Sequence, residues 1–206
     1  MYVPPHFAQD DPSALAEAVR RWPLATLVTH AAGAMAANHL PMLLETGRGE
    51  HGTLVFHVSR ANPVWRTLAE GGEALAIFSG ADAYVSPSAY PSKAEHGKVV
   101  PTWNYVAVHA YGTPQIFDEA DALRALVTRL TAVHEAGRAM PWEPDDAPPE
   151  FIDAQLRGIV GVKLHVSRVL GKVKMSQNRP AADRAGVAAD LRAAGNDDAA
   201  AMVDRA

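Results

Sequence analysis

The sequence predicts an α+β fold, a small antiparallel β-barrel dressed with peripheral helices. Three observations carry this expectation. Six short runs of β-type residues follow one another, separated by Gly, Pro and polar turns. Residues 159–170 alternate, with Val160, Val162, Leu164 and Val166 on one side and Gly161, Lys163, His165 and Ser167 on the other. Residues 119–136 instead repeat at the helical period, placing Leu123, Leu126, Val127, Leu130 and Val133 on one stripe.

Each element has a local reason. A helix over 12–21 begins with Asp11 as N-cap and Pro12 at its first position, and Trp22-Pro23 ends it. The β-type runs are Leu24–Thr29, Asn38–Leu44, Thr53–Val58, Ala74–Phe78, Ala83–Ser86 and Tyr105–Gly112, with turns at Gly47–Gly52 and Gly71-Gly72. The acidic, proline-rich stretch Pro141–Pro149 is a loop, because too little chain follows it for a second large domain. Beyond Pro180 the sequence is rich in Ala, Asp and Arg and reads as helical. No internal repeat occurs.

Composition narrows the classes. At 206 residues the chain fits one domain of about 150 residues with an appendage. Alanine fills 39 positions, while Leu, Ile, Val and Phe together fill only 45, enough for one core and thin for two. That leaves apolar surface for a partner chain to cover. With no cysteine, disulfides, thiolate metal sites and cysteine nucleophiles are excluded. No apolar run nears the ~20 residues of a membrane span. Pro4, Pro5 and His6 stand where a signal peptide would be apolar, so a cytoplasmic location is expected. A net charge of −4 opposes strong binding to a phosphate backbone, and the only basic cluster is Lys172, Lys174 and Arg179.

Three segments carry chemistry. In Thr53–Trp65 a strand runs into Ser59-Arg60-Ala61-Asn62-Pro63, where Asn62 reads as an N-cap and Pro63 as the first helical residue. A strand-to-helix corner of this kind aims backbone N–H groups outward, and Ser59 and Arg60 add donors suited to a phosphate. The same residues would also make a plain corner with a solvated arginine. In Val100–Tyr105, Trp103 and Tyr105 beside Thr102 and Asn104 could stack on a planar ring and bond its edge, or bury an indole in the barrel. In Lys172–Arg179, an extended backbone would put Lys172, Lys174 and Ser176 on one face, with Gln177 and Asn178 at the end, either as a site or as a charged sheet edge. The nine histidines form no zinc-like spacing, and His39 and His57 stand out because each flanks a strand end near the corner. Glycine-rich phosphate loops and nucleophile elbows are missing, which weakens nucleotide triphosphatase, dinucleotide dehydrogenase and serine hydrolase readings.

Six motifs in order then carry a resemblance: Met1-Tyr2-Val3-Pro4, Asn38-His39-Leu40-Pro41, His57–Trp65, Tyr84-Val85-Ser86-Pro87, Pro101–Tyr105 and Lys174–Asn178. Together they resemble the PaiB-type family of FMN-binding negative transcriptional regulators over about residues 1–192. The resemblance implies a split β-barrel like that of pyridoxamine-phosphate oxidases, forming one domain over 1–192 with a helical tail over 193–206. It implies a homodimer with FMN between subunits, its phosphate near the corner that carries His57, Ser59, Arg60 and Asn62, with His39 adjacent. Trp103 and Asn104, together with Lys174, Ser176 and Gln177, would then line the flavin ring. A flavin-dependent oxidoreductase is compatible with the same resemblance.

The haem-dependent piperazate synthases, which join two nitrogens, are similar to this family. By that likeness the alternative cofactor is haem b with His57 as axial ligand; here Phe56 replaces the glycine that precedes the ligand in those enzymes. No helix-turn-helix with a basic recognition helix is visible, so any DNA binding is expected to be weak.

Overall fold

The computed structural model describes residues 1–47 and 49–206, and these form two compact units. The terminal unit comprises Met1–Trp22, Phe78–His109 and Leu170–Ala206; the central unit comprises Pro23–Ile77 and Ala110–Val169. The strands in chain order are β1 (Ala8–Gln9), β2 (Leu24–Ala31), β3 (Ala34–Pro41), β4 (Leu43–Glu45), β5 (Thr53–Ser59), β6 (Ala74–Val85), β7 (Thr102–Phe117) and β8 (Ile159–Lys174). The helices are α1 (Pro12–Arg21), α2 (Val64–Ala69), α3 (Ser92–His96), α4 (Ala120–Glu135), α5 (Pro149–Arg157), α6 (Ala181–Ala193) and α7 (Asp197–Asp204). Strand order is β3-β2-β6-β7-β8-β5-β4, with β1 added to β8, and the β2–β3, β2–β6, β4–β5, β5–β8 and β1–β8 pairs are antiparallel.

In the central unit β2 and β3 form a hairpin around Ala32 and Gly33, both at positive φ (50° and 77°), as a two-residue primed turn requires. The alternation of β5 and β8 sorts their faces. Leu54, Phe56 and Val58 pack inward with Val160, Val162 and Leu164, all fully buried. On the other face Val55 meets Leu126 and Leu130 of α4, with Phe117 against them. Phe117 also packs against Leu123, Ile152 and Leu156, tying α4 to α5. Gly161, paired with His57, is glycine because a Cβ there would lie 2.3 Å from the Phe117 ring.

In the terminal unit Asp11 caps α1 by accepting from Ser13 N at 3.0 Å. Tyr90, Met175, Val187 and Leu191 make its core with Ala199, Ala200 and Val203 of α7. Small side chains permit close approach there: a Cβ at Gly186 of α6 would stand 2.1 Å from the Ala89 carbonyl oxygen.

Several boundaries differ from expectation. The runs Ala74–Phe78 and Ala83–Ser86 are one strand, because Gly80 is not a turn but the place where the Trp22 ring presses on β6; a Cβ would come within 2.8 Å of it. The run Asn38–Leu44 is instead β3 over Ala34–Pro41, then a break at Met42, then β4. Helix α5 was not expected beyond the loop that precedes it. Strand β8 stops at Lys174, and Ser176 turns into the left-handed region with φ 64°, so the run does not stay extended.

Candidate functional site

The residues singled out by sequence fall into two groups, one in each unit. In the central unit the corner after β5 is built as its sequence suggests. Asn62 N donates to Ser59 O at 2.9 Å and Asn62 Oδ1 accepts from Val64 N at 3.0 Å, but α2 begins one residue later than expected, at Val64, with Pro63 in the N-cap position. Ala61 N donates to Ser59 Oγ at 3.3 Å, and Trp65 Nε1 to Arg60 O at 2.9 Å. Asn62 Nδ2 also donates to Asn38 Oδ1 at 2.8 Å, fastening the corner to β3. By the strand alternation His39 lies on the face opposite Asn38 and is exposed, so the neighbour of the expected residue is the one that reaches the corner.

Arg60 points back toward β8. Its Nε donates to Arg157 O at 3.1 Å and its Nη2 to Ile159 O at 3.2 Å, with Asp118 Oδ2 at 3.5 Å. Two of its three nitrogens therefore hold protein acceptors. Nη1 has none among the described residues. His57 shares a face of β5 with Val55 and Ser59. Burial pulls its imidazole below the ordinary histidine value, and its Nδ1 is sealed from solvent with no hydrogen-bond partner among the described residues.

In the terminal unit the first turn of β7 meets the end of β8. Lys174 Nζ donates to Trp103 O at 2.7 Å and to Thr102 Oγ1. Asn104, fully buried, exchanges hydrogen bonds with Ser176: Nδ2 to Oγ at 3.0 Å and Oγ to Oδ1 at 3.2 Å. Trp103 is exposed, with Tyr84 edge-on at 6.1 Å. The Gln177 side chain is taken up by backbone, accepting from Met175 N at 2.6 Å and donating to Val173 O. Sequence reasoning missed Tyr90, which stands beside these residues and belongs to none of the motifs; only its placement after the Tyr84–Pro87 motif could have drawn attention to it. His165 bonds Gln115 Oε1 at 3.0 Å. Among the described residues no group of three or more His, Asp or Glu side chains is placed to hold a metal ion, and no helix is long and apolar enough to cross a membrane.

An eight-stranded antiparallel sheet in this order, with peripheral helices and a strand–turn–helix corner, defines a split β-barrel protein of the flavin-binding type. The chain belongs to the family described as "Putative FMN-binding domain", whose model matches residues 1–168. It is similar to "Protease synthase and sporulation protein PAI 2" of Bacillus subtilis, with 32% identity over 204 residues, 99% of this chain and 95% of the relative. The PaiB-type resemblance thus extends over nearly the whole chain. Among solved structures the fold matches a FAD and haem binding protein from Mycobacterium smegmatis at TM-score 0.60 and 20% identity, over 81% of this chain and 73% of that one. It also matches the flavocytochrome Anf3 from Azotobacter vinelandii at TM-score 0.61 and 13% identity, over 82% and 69%.

Proposed function

We propose that the protein binds FMN as a homodimer of the PaiB type, with the flavin's phosphate end held at the Ser59–Asn62 corner beside His57. The observation that carries this reading is the buried Nδ1 of His57, which has no hydrogen-bond partner among the described residues. A buried polar atom left unpaired costs about 1–3 kcal/mol, and a ribityl hydroxyl or phosphate oxygen of FMN supplies the missing bond. Ser59 Oγ and Arg60 Nη1 add donors of the kind that a phosphate collects. The bound flavin supplies the redox chemistry; the corner residues bind and orient it.

Haem is the competing cofactor, since a neutral His57 is chemically fit for iron. A ligating histidine, however, nearly always donates its second ring N–H to a fixed acceptor, and His57 makes no such bond to a described residue. That favours flavin. A second copy is supported by β3, which ends the strand order and exposes Ala34, Met35, Ala36 and Ala37 along an edge that invites pairing. Regulation by direct DNA contact would rest on Lys174 and Arg179 alone, because Lys172 is buried and donates to Tyr2 O at 3.2 Å, so we propose weak binding.

The test is the absorption spectrum of the purified protein, followed by competitive reconstitution with FMN and haem. We expect a flavin spectrum, and His57→Ala should lower FMN affinity without changing the kind of spectrum. Haem displacing FMN, with a Soret band that vanishes in His57→Ala, would refute this reading.

A further inference from the structure

The phosphate corner proposed above uses none of the basic residues near the end of β8. Around them in the terminal unit is a cavity of about 100 Å³, lined in part by Tyr90, Thr102, Asn104, Lys174, Ser176 and Arg179. Tyr90 is only 2% exposed, and its hydroxyl has no hydrogen bond of ordinary geometry among the described residues. Arg179 stacks over the Tyr90 ring at 4.8 Å. Neither Arg179 nor Lys174 has a carboxylate within salt-bridge distance among the described residues. The carboxylate whose charge reaches Tyr90 is that of Asp183, and it is already committed, accepting from Ser92 N at 3.1 Å and from Ser92 Oγ at 2.7 Å.

The surroundings are rigid. Ser176 holds a left-handed backbone that residues other than glycine avoid, and its hydroxyl is locked to the buried Asn104 amide. Lys174 spends two N–H groups on Thr102 and Trp103 and keeps a third. Burial lowers its pKa, Lys172 and Arg179 lower it further, and Tyr105 works the other way.

We propose that this cavity binds one small oxyanion group, a phosphoryl or carboxylate carried by a small-molecule ligand, through Lys174, Arg179 and the Tyr90 hydroxyl. Size supports the assignment. Water takes about 30 Å³ in the liquid, so the cavity equals about three waters. Pockets for cofactor-sized molecules run to about 300–1,000 Å³, several times the size of this one. The inference uses residues of one unit and does not rest on the flavin reading.

The test is calorimetric titration of the full chain with sodium phosphate, and separately with sodium acetate, at constant ionic strength. It is run on the protein as purified and again with excess FMN. We expect saturable uptake of one anion per chain, weakened about tenfold by Lys174→Met and about threefold by Tyr90→Phe. Phosphate binding tighter than acetate assigns a phosphoryl group, and the reverse order a carboxylate. No saturable uptake of either anion, or uptake indifferent to both substitutions, overturns the proposal.

Displacement of bound phosphate by a short DNA duplex also overturns it, by making the cluster a nucleic-acid contact. So does loss of phosphate uptake on FMN loading, when Tyr90→Phe also weakens FMN but not riboflavin. The corner reading fails separately, if His57→Ala and Arg60→Ala leave FMN affinity unchanged while anion uptake persists.

Discussion

Arg60→Ala separates the two tasks that the corner arginine performs. The structure gives the wild-type side chain two carbonyl acceptors, Arg157 O at 3.1 Å and Ile159 O at 3.2 Å, and the Asp118 carboxylate at 3.5 Å. A hydrogen bond from a charged donor contributes about 1.5–3 kcal/mol when well buried. Here the side chain is 40% exposed, which reduces each to about 1 kcal/mol, and the pair with Asp118, itself 64% exposed, adds under about 1 kcal/mol. The substitution should therefore cost about 2 kcal/mol of stability, read from urea unfolding of the cofactor-free protein. Nη1 has no protein acceptor among the described residues, and we assign it to phosphate. Losing that charged contact should weaken FMN by about tenfold more than riboflavin, which has the same ring and ribityl chain without the phosphate. Fluorescence titration with each ligand, well below the unfolding midpoint, measures the difference. Equal weakening of FMN and riboflavin would mean that Arg60 acts only by holding the corner, and the phosphate assignment would fall.

Gly161→Ala should destabilise the fold by about 1–3 kcal/mol, since its Cβ would lie 2.3 Å from a Phe117 ring held on both sides by α4 and α5; an unchanged denaturant midpoint would show that the ring yields. His57 makes stability depend on pH. Above pH 6.5 its imidazole is neutral in folded and unfolded chains alike, but below it the unfolded chain takes up a proton that burial denies the folded one. Stability should thus fall as pH drops from 6.5 toward the lowered folded value and level off below it, and His57→Phe should flatten that part of the curve. Sedimentation at micromolar concentration should give a dimer, a cofactor-bound monomer being the contrary result. DNA binding should be weak and lost at moderate salt, and tight sequence-specific binding at physiological salt would restore a direct regulator.

The corner was legible because its signals are local. Asn62-Pro63 after a β-type run specifies a cap and a helix start within a few residues, and Ser59-Arg60 lies in the same stretch. The direction of Arg60 was not legible, because its acceptors belong to Arg157 and Ile159, nearly one hundred residues away in sequence. The same distance rule explains the errors in the strands. Gly80 resembles a turn until Trp22 is known to press on it. Ala34–Ala37 lacks the branched residues that mark a strand and pairs only because β2 lies beside it. Helix α5 did leave a trace, Pro149 and Glu150 followed by Ile152 and Leu156 four apart, but the prolines before it read as loop.

The anion cavity shows the harder case. Lys174 and Ser176 belong to one motif, and on the sequence alone they share a face only if the run stays extended through Ser176. Ser176 leaves that face by adopting a positive φ, a choice made affordable by its bond to a buried Asn104 seventy-two positions earlier. Tyr90 carried no signal of its own, and becomes informative only when its buried hydroxyl is found on one cavity with Arg179 and Lys174. What marks this site is an unmet hydrogen bond and unneutralised charge, and neither is a property of any short stretch of sequence. The corner proposed for flavin is marked in the same way by His57 Nδ1. Unpaired polar atoms are rare in folded chains, and when they line a cavity or a corner that can admit a ligand, the missing partner is best sought in that ligand. That argument ties each site to the chemistry of what it lacks: a hydroxyl or phosphate oxygen for the imidazole, an oxyanion for the phenol and its cations.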